Sequence, residues 1–211
     1  CTIVLKPSPF TPLTTLRVAE LIADKVPAGT VNIITGEDSL GPLITGHADI
    51  DKITFTGSTA TGKKIMEGAS GDLKRITLEL GGNDASIVLP DADPKKVAEQ
   101  LFWSSFQNAG QVCIAAKRVY IHEDIYDELK AKLVANTATL IAGNPHDRDT
   151  FIGPMISEKE AARLYGGIQA AAAAGGGILC GGKRDGAMLE APLMENVPIE
   201  QNICWEEGFW P

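Results

Sequence analysis

The segment Asn108-Ala109-Gly110-Gln111-Val112-Cys113 ends in a cysteine that follows small residues. Small neighbours can leave a thiol accessible at a loop tip. A thiolate is a good nucleophile, and its pKa falls beside helix N-termini or backbone amides. The competing reading is a buried small hydrophobe, the common state of a free cysteine. A nucleophilic thiol also needs a base. His122 is close in sequence and would give a Cys–His dyad, but it reads better as a solvated histidine at a strand end. Glu79, in Thr77-Leu78-Glu79-Leu80-Gly81-Gly82, is the alternative. It is charged among apolar neighbours at the carboxyl end of a strand, where open α/β sheets place ligands. Desolvation there would raise its pKa toward that of a base near neutrality. An edge-strand glutamate facing water is the plain alternative.

A second set of residues suits phosphate or ribose. Gly57-Ser58-Thr59-Ala60-Thr61-Gly62 lies between a strand and a helix, where helix N-terminal amides attract anions. The spacing is Gly-x-x-x-x-Gly, followed by Lys63-Lys64 rather than the Lys-Ser/Thr of a P-loop. Read alone, it is a capped helix start. Lys6 ends a strand before a Pro-rich turn and could meet a hydroxyl or phosphate, or only water. Glu206-Glu207 with Phe209 says little in isolation. The remaining cysteines, Cys1, Cys180 and Cys204, form no Cys-x-x-Cys pair, and His47, His122 and His146 are scattered. No metal site is expected, and the thiols suit a reducing compartment.

The elements that must carry these residues alternate. Ile3–Lys6 predicts a strand. Thr11-Pro12 predicts a helix start, with Thr11 as N-cap and Leu13, Leu16, Ala19 and Ile22 on one face. Strands follow at Val31–Ile34, Ile53–Thr56 and Arg75–Leu80, with a short helix at Ser39–Thr45 and another after Gly57-Ser58. This is the pattern of a parallel α/β sheet. Beyond Gly81-Gly82, strands are expected at Ala85–Leu89, Arg118–His122 and Ile178–Cys180. Helices are expected from Asp93-Pro94 to near Asn108, around Ile125–Leu140, and from Ser157 to near Gly175. The two glycines mark the domain division.

With 211 residues, 44% of them apolar and a net charge of −8, the chain is an ordinary globular protein. The acidic balance excludes nucleic acid and anionic membrane surfaces as natural partners. No apolar run is long enough to span a bilayer, so a cytoplasmic location is expected. The start at Cys1-Thr2-Ile3 and the finish at Phe209-Trp210-Pro211 read as cut ends, so a fragment of a larger protein is expected.

Taken in order, the motifs resemble the aldehyde dehydrogenase superfamily. They are Val4-Leu5-Lys6-Pro7-Ser8, Phe55-Thr56-Gly57-Ser58-Thr59, Leu78-Glu79-Leu80-Gly81-Gly82, Asn108-Ala109-Gly110-Gln111-Val112-Cys113 and Glu206-Glu207-Gly208-Phe209. The resemblance covers the whole chain. It implies part of a Rossmann-like NAD(P)-binding domain at 1–81 and the first part of an α/β catalytic domain at 82–211. It implies oxidation of an aldehyde to a carboxylic acid with NAD or NADP, through a thiohemiacetal and then a thioester on Cys113. Glu79 would be the general base, and its presence favours hydrolysis over acyl transfer to coenzyme A. Lys6 would hold the adenosine ribose. Gly57, Ser58 and Gly62 would meet the pyrophosphate. Glu207 would contact the nicotinamide ribose, and Phe209 would pack on the nicotinamide. Ser104, Phe106 and Gln107 would approach the aldehyde passage. The expected partners are a small-molecule aldehyde and, for the parent protein, further copies of itself as a dimer or tetramer.

Two positions depart from the family pattern. Pro9 stands where NAD-preferring relatives often carry a ribose-binding glutamate, which leaves NAD against NADP open. Trp210 stands where the family usually has glycine. Two rival functions remain: a non-catalytic module that only binds or interacts, and a cofactor-independent thiol hydrolase using His122.

Overall fold

Strand β1 (Ile3–Leu5) runs straight into the Pro-rich turn that precedes helix α1 (Leu13–Ile22). Pro12 is already in a helical conformation (φ −81°, ψ −22°) and no side chain caps the helix. Thr11 therefore lies one residue too far out to act as N-cap, contrary to the sequence expectation. Ser8 organises the turn instead: its hydroxyl accepts from Phe10 N (3.3 Å) and its carbonyl from Thr11 N (3.2 Å). The alternation continues with β2 (Val31–Ile33), α2 (Leu40–Thr45), β3 (Lys52–Thr56), α3 (Thr59–Ser70) and β4 (Arg75–Glu79). β1 pairs with β2 and β3 with β4, both parallel, with Phe55 opposite Leu78. The four strands thus form two parallel pairs rather than one continuous ladder.

The computed structural model covers residues 1–211 and separates into two units, Cys1–Leu80 and Gly81–Pro211. The core of the first unit is small. Ile53, Ile65 and Ala69 are buried, flanked by Ile50, Phe55, Ile76 and Leu78. Lys74 is buried below it. Its Nζ donates to His47 O (2.7 Å) and Ile50 O (3.0 Å) and pairs with Asp72, which satisfies the charge. Helix α1 buries no residue, and Leu13 on the expected apolar face is 78% exposed.

The second unit comprises β5 (Asp84–Val88), α4 (Pro94–Phe106), β6 (Ala116–Ile121), α5 (Glu123–Thr137), α6 (Glu158–Ala173), β7 (Gly177–Cys180), β8 (Arg184–Asp185), β9 (Met188–Leu189) and β10 (Leu193–Glu195). β5 and β6 are parallel. Val88, Leu101, Leu129 and Leu133 close the core between this pair and helices α4 and α5. A second cluster gathers Met155, Leu164, Ile168 and Leu189 around α6. Every long helix here is capped. Asp93 accepts from Lys95 N (2.9 Å), His122 from Asp124 N (3.3 Å) and Ser157 from Glu160 N (3.2 Å). His122 is thereby committed to the N-terminus of α5. The β8–β9 hairpin and the antiparallel pairing of β10 with β7 were not expected from the sequence. β8, β9 and β10 have only two or three residues each, too short to show alternation, and Asp185-Gly186 was the one turn signal of the hairpin. No helix is long and apolar enough to cross a membrane.

Candidate active site

In the second unit the cysteine loop begins where α4 stops at Phe106. Three consecutive residues, Asn108 (φ 54°), Ala109 (φ 53°) and Gly110 (φ 64°), adopt the left-handed conformation. Asn and Gly tolerate it, but Ala does so only when its surroundings impose it. Ala109 is buried with Phe106, Ile152 and Ala191, which supplies that constraint. A Cβ at Gly110 would collide with the carbonyl of Trp210, so only glycine fits there. The loop is also tied by polar contacts. Asn108 Nδ2 donates to Gln111 O (3.1 Å), and Gln111 Oε1 accepts from Ile156 N (3.0 Å). Lys117 Nζ donates to Gly110 O (2.7 Å) and to Trp210 O.

Cys113 follows this loop and is half-buried. Its carbonyl lies against Gly82, where a Cβ would approach to 3.0 Å. The Glu207 carboxylate packs directly over Gly81, leaving no room for a side chain. The turn after these glycines is fastened on both sides. Arg118 Nε (3.1 Å) and Nη2 (2.8 Å) both donate to Asn83 O, and Asn83 Nδ2 donates to Glu206 O (3.3 Å). The second unit thus brings together Cys113, the Gly81-Gly82 backbone and Glu207. Phe209 follows in a left-handed conformation (φ 55°). Burial lowers the Lys117 pKa to about 8, although the Glu207 carboxylate opposes that shift. Burial raises the thiol pKa of both Cys180 and Cys204, which disfavours their thiolates. Phe106 is buried at 4% exposure, a core residue rather than the wall of a passage, whereas Ser104 and Gln107 are exposed.

The other candidates lie in the first unit, at the carboxyl ends of its parallel strands. Lys6 follows β1, half-buried, with Nζ donating to Pro7 O (3.1 Å). Beside it a cleft of about 110 Å³ is lined by Pro7, Ser8, Pro9, Pro12, Thr35, Gly36 and Glu37. Gly57 N donates to Glu79 O (3.0 Å), so the ends of β3 and β4 are held together. Ser58 is the N-cap of α3, with its hydroxyl accepting from Thr61 N (3.2 Å), and Ser58–Ala60 are exposed. Gly62 is set apart from these. It is buried one turn into the helix, where a Cβ would meet the Leu80 side chain at 2.8 Å, so its role is close helix–strand packing. Glu79 is solvent-exposed rather than desolvated.

Lys117, Arg118, Asn83 and the Gln111 amide were not singled out from the sequence. Their one signal is the Lys117-Arg118 pair at the start of a strand that must enter the core, where charges require partners.

Comparison with known proteins gives consistent matches. The model of the aldehyde dehydrogenase family matches residues 1–211. A probable aldehyde dehydrogenase of a Pseudomonas species is 47% identical over 199 residues, covering 93% of this chain and 41% of that protein. The crystal structure of an NADP-dependent enzyme from E. coli superposes with a TM-score of 0.96 at 39% identity, covering 100% of this chain and 45% of that one. That of an NAD-dependent aldehyde dehydrogenase from Sinorhizobium meliloti gives a TM-score of 0.96 at 36% identity, covering 100% and 43%. The chain therefore spans less than half the length of the relatives it matches.

Proposed function

The chain belongs to the aldehyde dehydrogenase family, and from that premise we propose that the full-length protein oxidises an aldehyde to a carboxylic acid with NAD or NADP. The observation that carries the reading is the left-handed loop Asn108–Gly110 ahead of Cys113, a conformation that costs free energy and is retained where a group must be presented. In this reading the Cys113 thiolate attacks the aldehyde carbonyl to give a thiohemiacetal, and loss of hydride leaves a thioester. The main-chain amide of Cys113 helps hold the oxyanion. Glu79 takes the proton from the thiol or from the water that hydrolyses the thioester. The carboxyl-end exposure of Glu79 is compatible with either task.

The first unit suits a dinucleotide. The first-turn residues of α3 are open, and Lys6 offers a cation beside a cleft. Lys6 would bind the adenosine ribose, Gly57 and Ser58 the pyrophosphate, and Glu207 and Phe209 the nicotinamide half. When bound, the nicotinamide supplies the hydride acceptor. The division into a cofactor domain and a catalytic domain falls at Gly81-Gly82. The full-length protein is read as a cytoplasmic homo-oligomer.

The test is absorbance of reduced cofactor, with full-length protein, NAD or NADP and an aldehyde panel. Cys113→Ala is expected to lower kcat by at least about 10⁴-fold. Glu79→Gln is expected to lower it by roughly 10²–10⁴-fold. Turnover that survives Cys113→Ala would sink the reading.

A further inference from the structure

We propose that Lys117 is a positioning residue, whose ammonium locks the cysteine loop against the Glu206–Trp210 segment and so fixes where Cys113 presents its thiol. The proposal rests on the reading of Cys113 as nucleophile, and it assigns a role to a residue which that reading leaves idle. Three left-handed residues in succession do not hold themselves, and the carbonyl of the third, Gly110, is the atom that Lys117 grips at 2.7 Å. The same Nζ donates to Trp210 O, and a Cβ on Gly110 would strike that very carbonyl. One cation therefore bridges two main-chain oxygens from segments 100 residues apart in sequence. A charged donor to carbonyl oxygens is stronger than a neutral one. Glu207, in the same late segment, faces this cation. Lys117 thus ties the thiol loop to the segment that carries the proposed nicotinamide-ribose ligand.

The position suits this role better than a purely structural one. Lys117 is the second residue of β6, where an apolar side chain would fill the space without burying a charge. Burial already brings its pKa down to about 8, so the lysine is retained at a cost. Gln111 also supports the loop, through Ile156 N, but no other side chain donates to the Gly110 carbonyl.

The experiment compares full-length wild type, Lys117→Met, Lys117→Arg and Cys113→Ala in steady-state kinetics. Lys117→Met is expected to lower kcat about 10- to 100-fold, with the aldehyde and cofactor KM values changed less than about threefold, as misplacement of a reacting group does. Lys117→Arg keeps the cation and its donors but not the reach of lysine, and should fall between Lys117→Met and wild type. Wild-type kcat in Lys117→Met overturns the proposal, as does a loss that Lys117→Arg does not relieve. If Lys117→Met yields no folded protein, Lys117→Gln, which keeps an N–H donor and loses the charge, decides in its place: reduced kcat at unchanged KM sustains the proposal and wild-type kcat overturns it. Activity surviving in Cys113→Ala would instead overturn the assignment of the nucleophile, so the two failures are told apart.

Discussion

The two units of this chain bury apolar surface very differently. The first has one small cluster around Ile53, Ile65 and Ala69, an α1 helix with no buried residue, and a β1 strand whose Ile3, Val4 and Leu5 are all exposed. The second holds three clusters, with Leu129, Ile152, Leu164, Ile168 and Leu189 fully buried. The candidate nucleophile stands in the well-packed unit, on a strained loop that needs a rigid surround. The residues suited to the adenosine ribose and the pyrophosphate stand in the thin one, on strand ends and a helix N-terminus that need only backbone geometry. Strained presentation demands a dense core, whereas anion binding at helix N-termini does not.

The largest expected effect tests that contrast directly. Leu164→Ala removes a side chain only 1% exposed and should cost about 2–5 kcal/mol of unfolding free energy. Leu13→Ala, at 78% exposure, should stay within about 0.5 kcal/mol. Denaturant titration of the 211-residue chain reads both. Equal costs at the two sites would erase the difference between the units.

The next effect is electrostatic and lies within the dense unit. Lys117 has a folded-state pKa near 8 against an ordinary 10.5. Between those values the unfolded chain binds more protons than the folded one, so stability rises with pH across that window. Below pH 8 the full cost of burying the cation is present, and by pH 10.5 it is relieved. A shift of that size corresponds to about 3 kcal/mol at most. The stability of wild type relative to Lys117→Met should therefore climb from pH 8 to 10.5 and be flat from pH 6 to 7. A flat difference throughout would mean that Lys117 is not buried as a cation.

How much of this could be read from the sequence depended on the range of the interactions. Local chemistry was legible. Asp93-Pro94 and Ser157 start α4 and α6, and the strand–helix alternation follows from turn residues and apolar spacing. Thr11 misled because threonine before proline resembles a cap, while Pro12 is already turned into the helix. Gly62 looked like half of a phosphate loop, yet its missing Cβ serves the packing of Leu80. The Cys113 motif marked the loop as a candidate, but nothing local revealed that Gly110 and Trp210 share one lysine. Contacts across 93 positions, such as Lys117 to Trp210, leave no periodic trace in the chain.

The smallest effect concerns Ser58, where two readings of one hydroxyl can be separated. Its oxygen accepts from Thr61 N as the N-cap of α3, so Ser58→Ala should cost about 1 kcal/mol in the first unit whether or not a ligand ever binds there. Ser58→Asp keeps an equally good cap, because aspartate accepts the same bond and its charge favours the helix N-terminus. The stability of the 211-residue chain should therefore fall with alanine and hold with aspartate. Cofactor affinity of the full-length protein should follow a different order. Aspartate sets a negative charge against a pyrophosphate and should weaken binding more than alanine does. If cofactor affinity instead tracks stability across the two substitutions, Ser58 is only a cap, and the thin unit's claim to the pyrophosphate must rest on Gly57 and the first-turn amides.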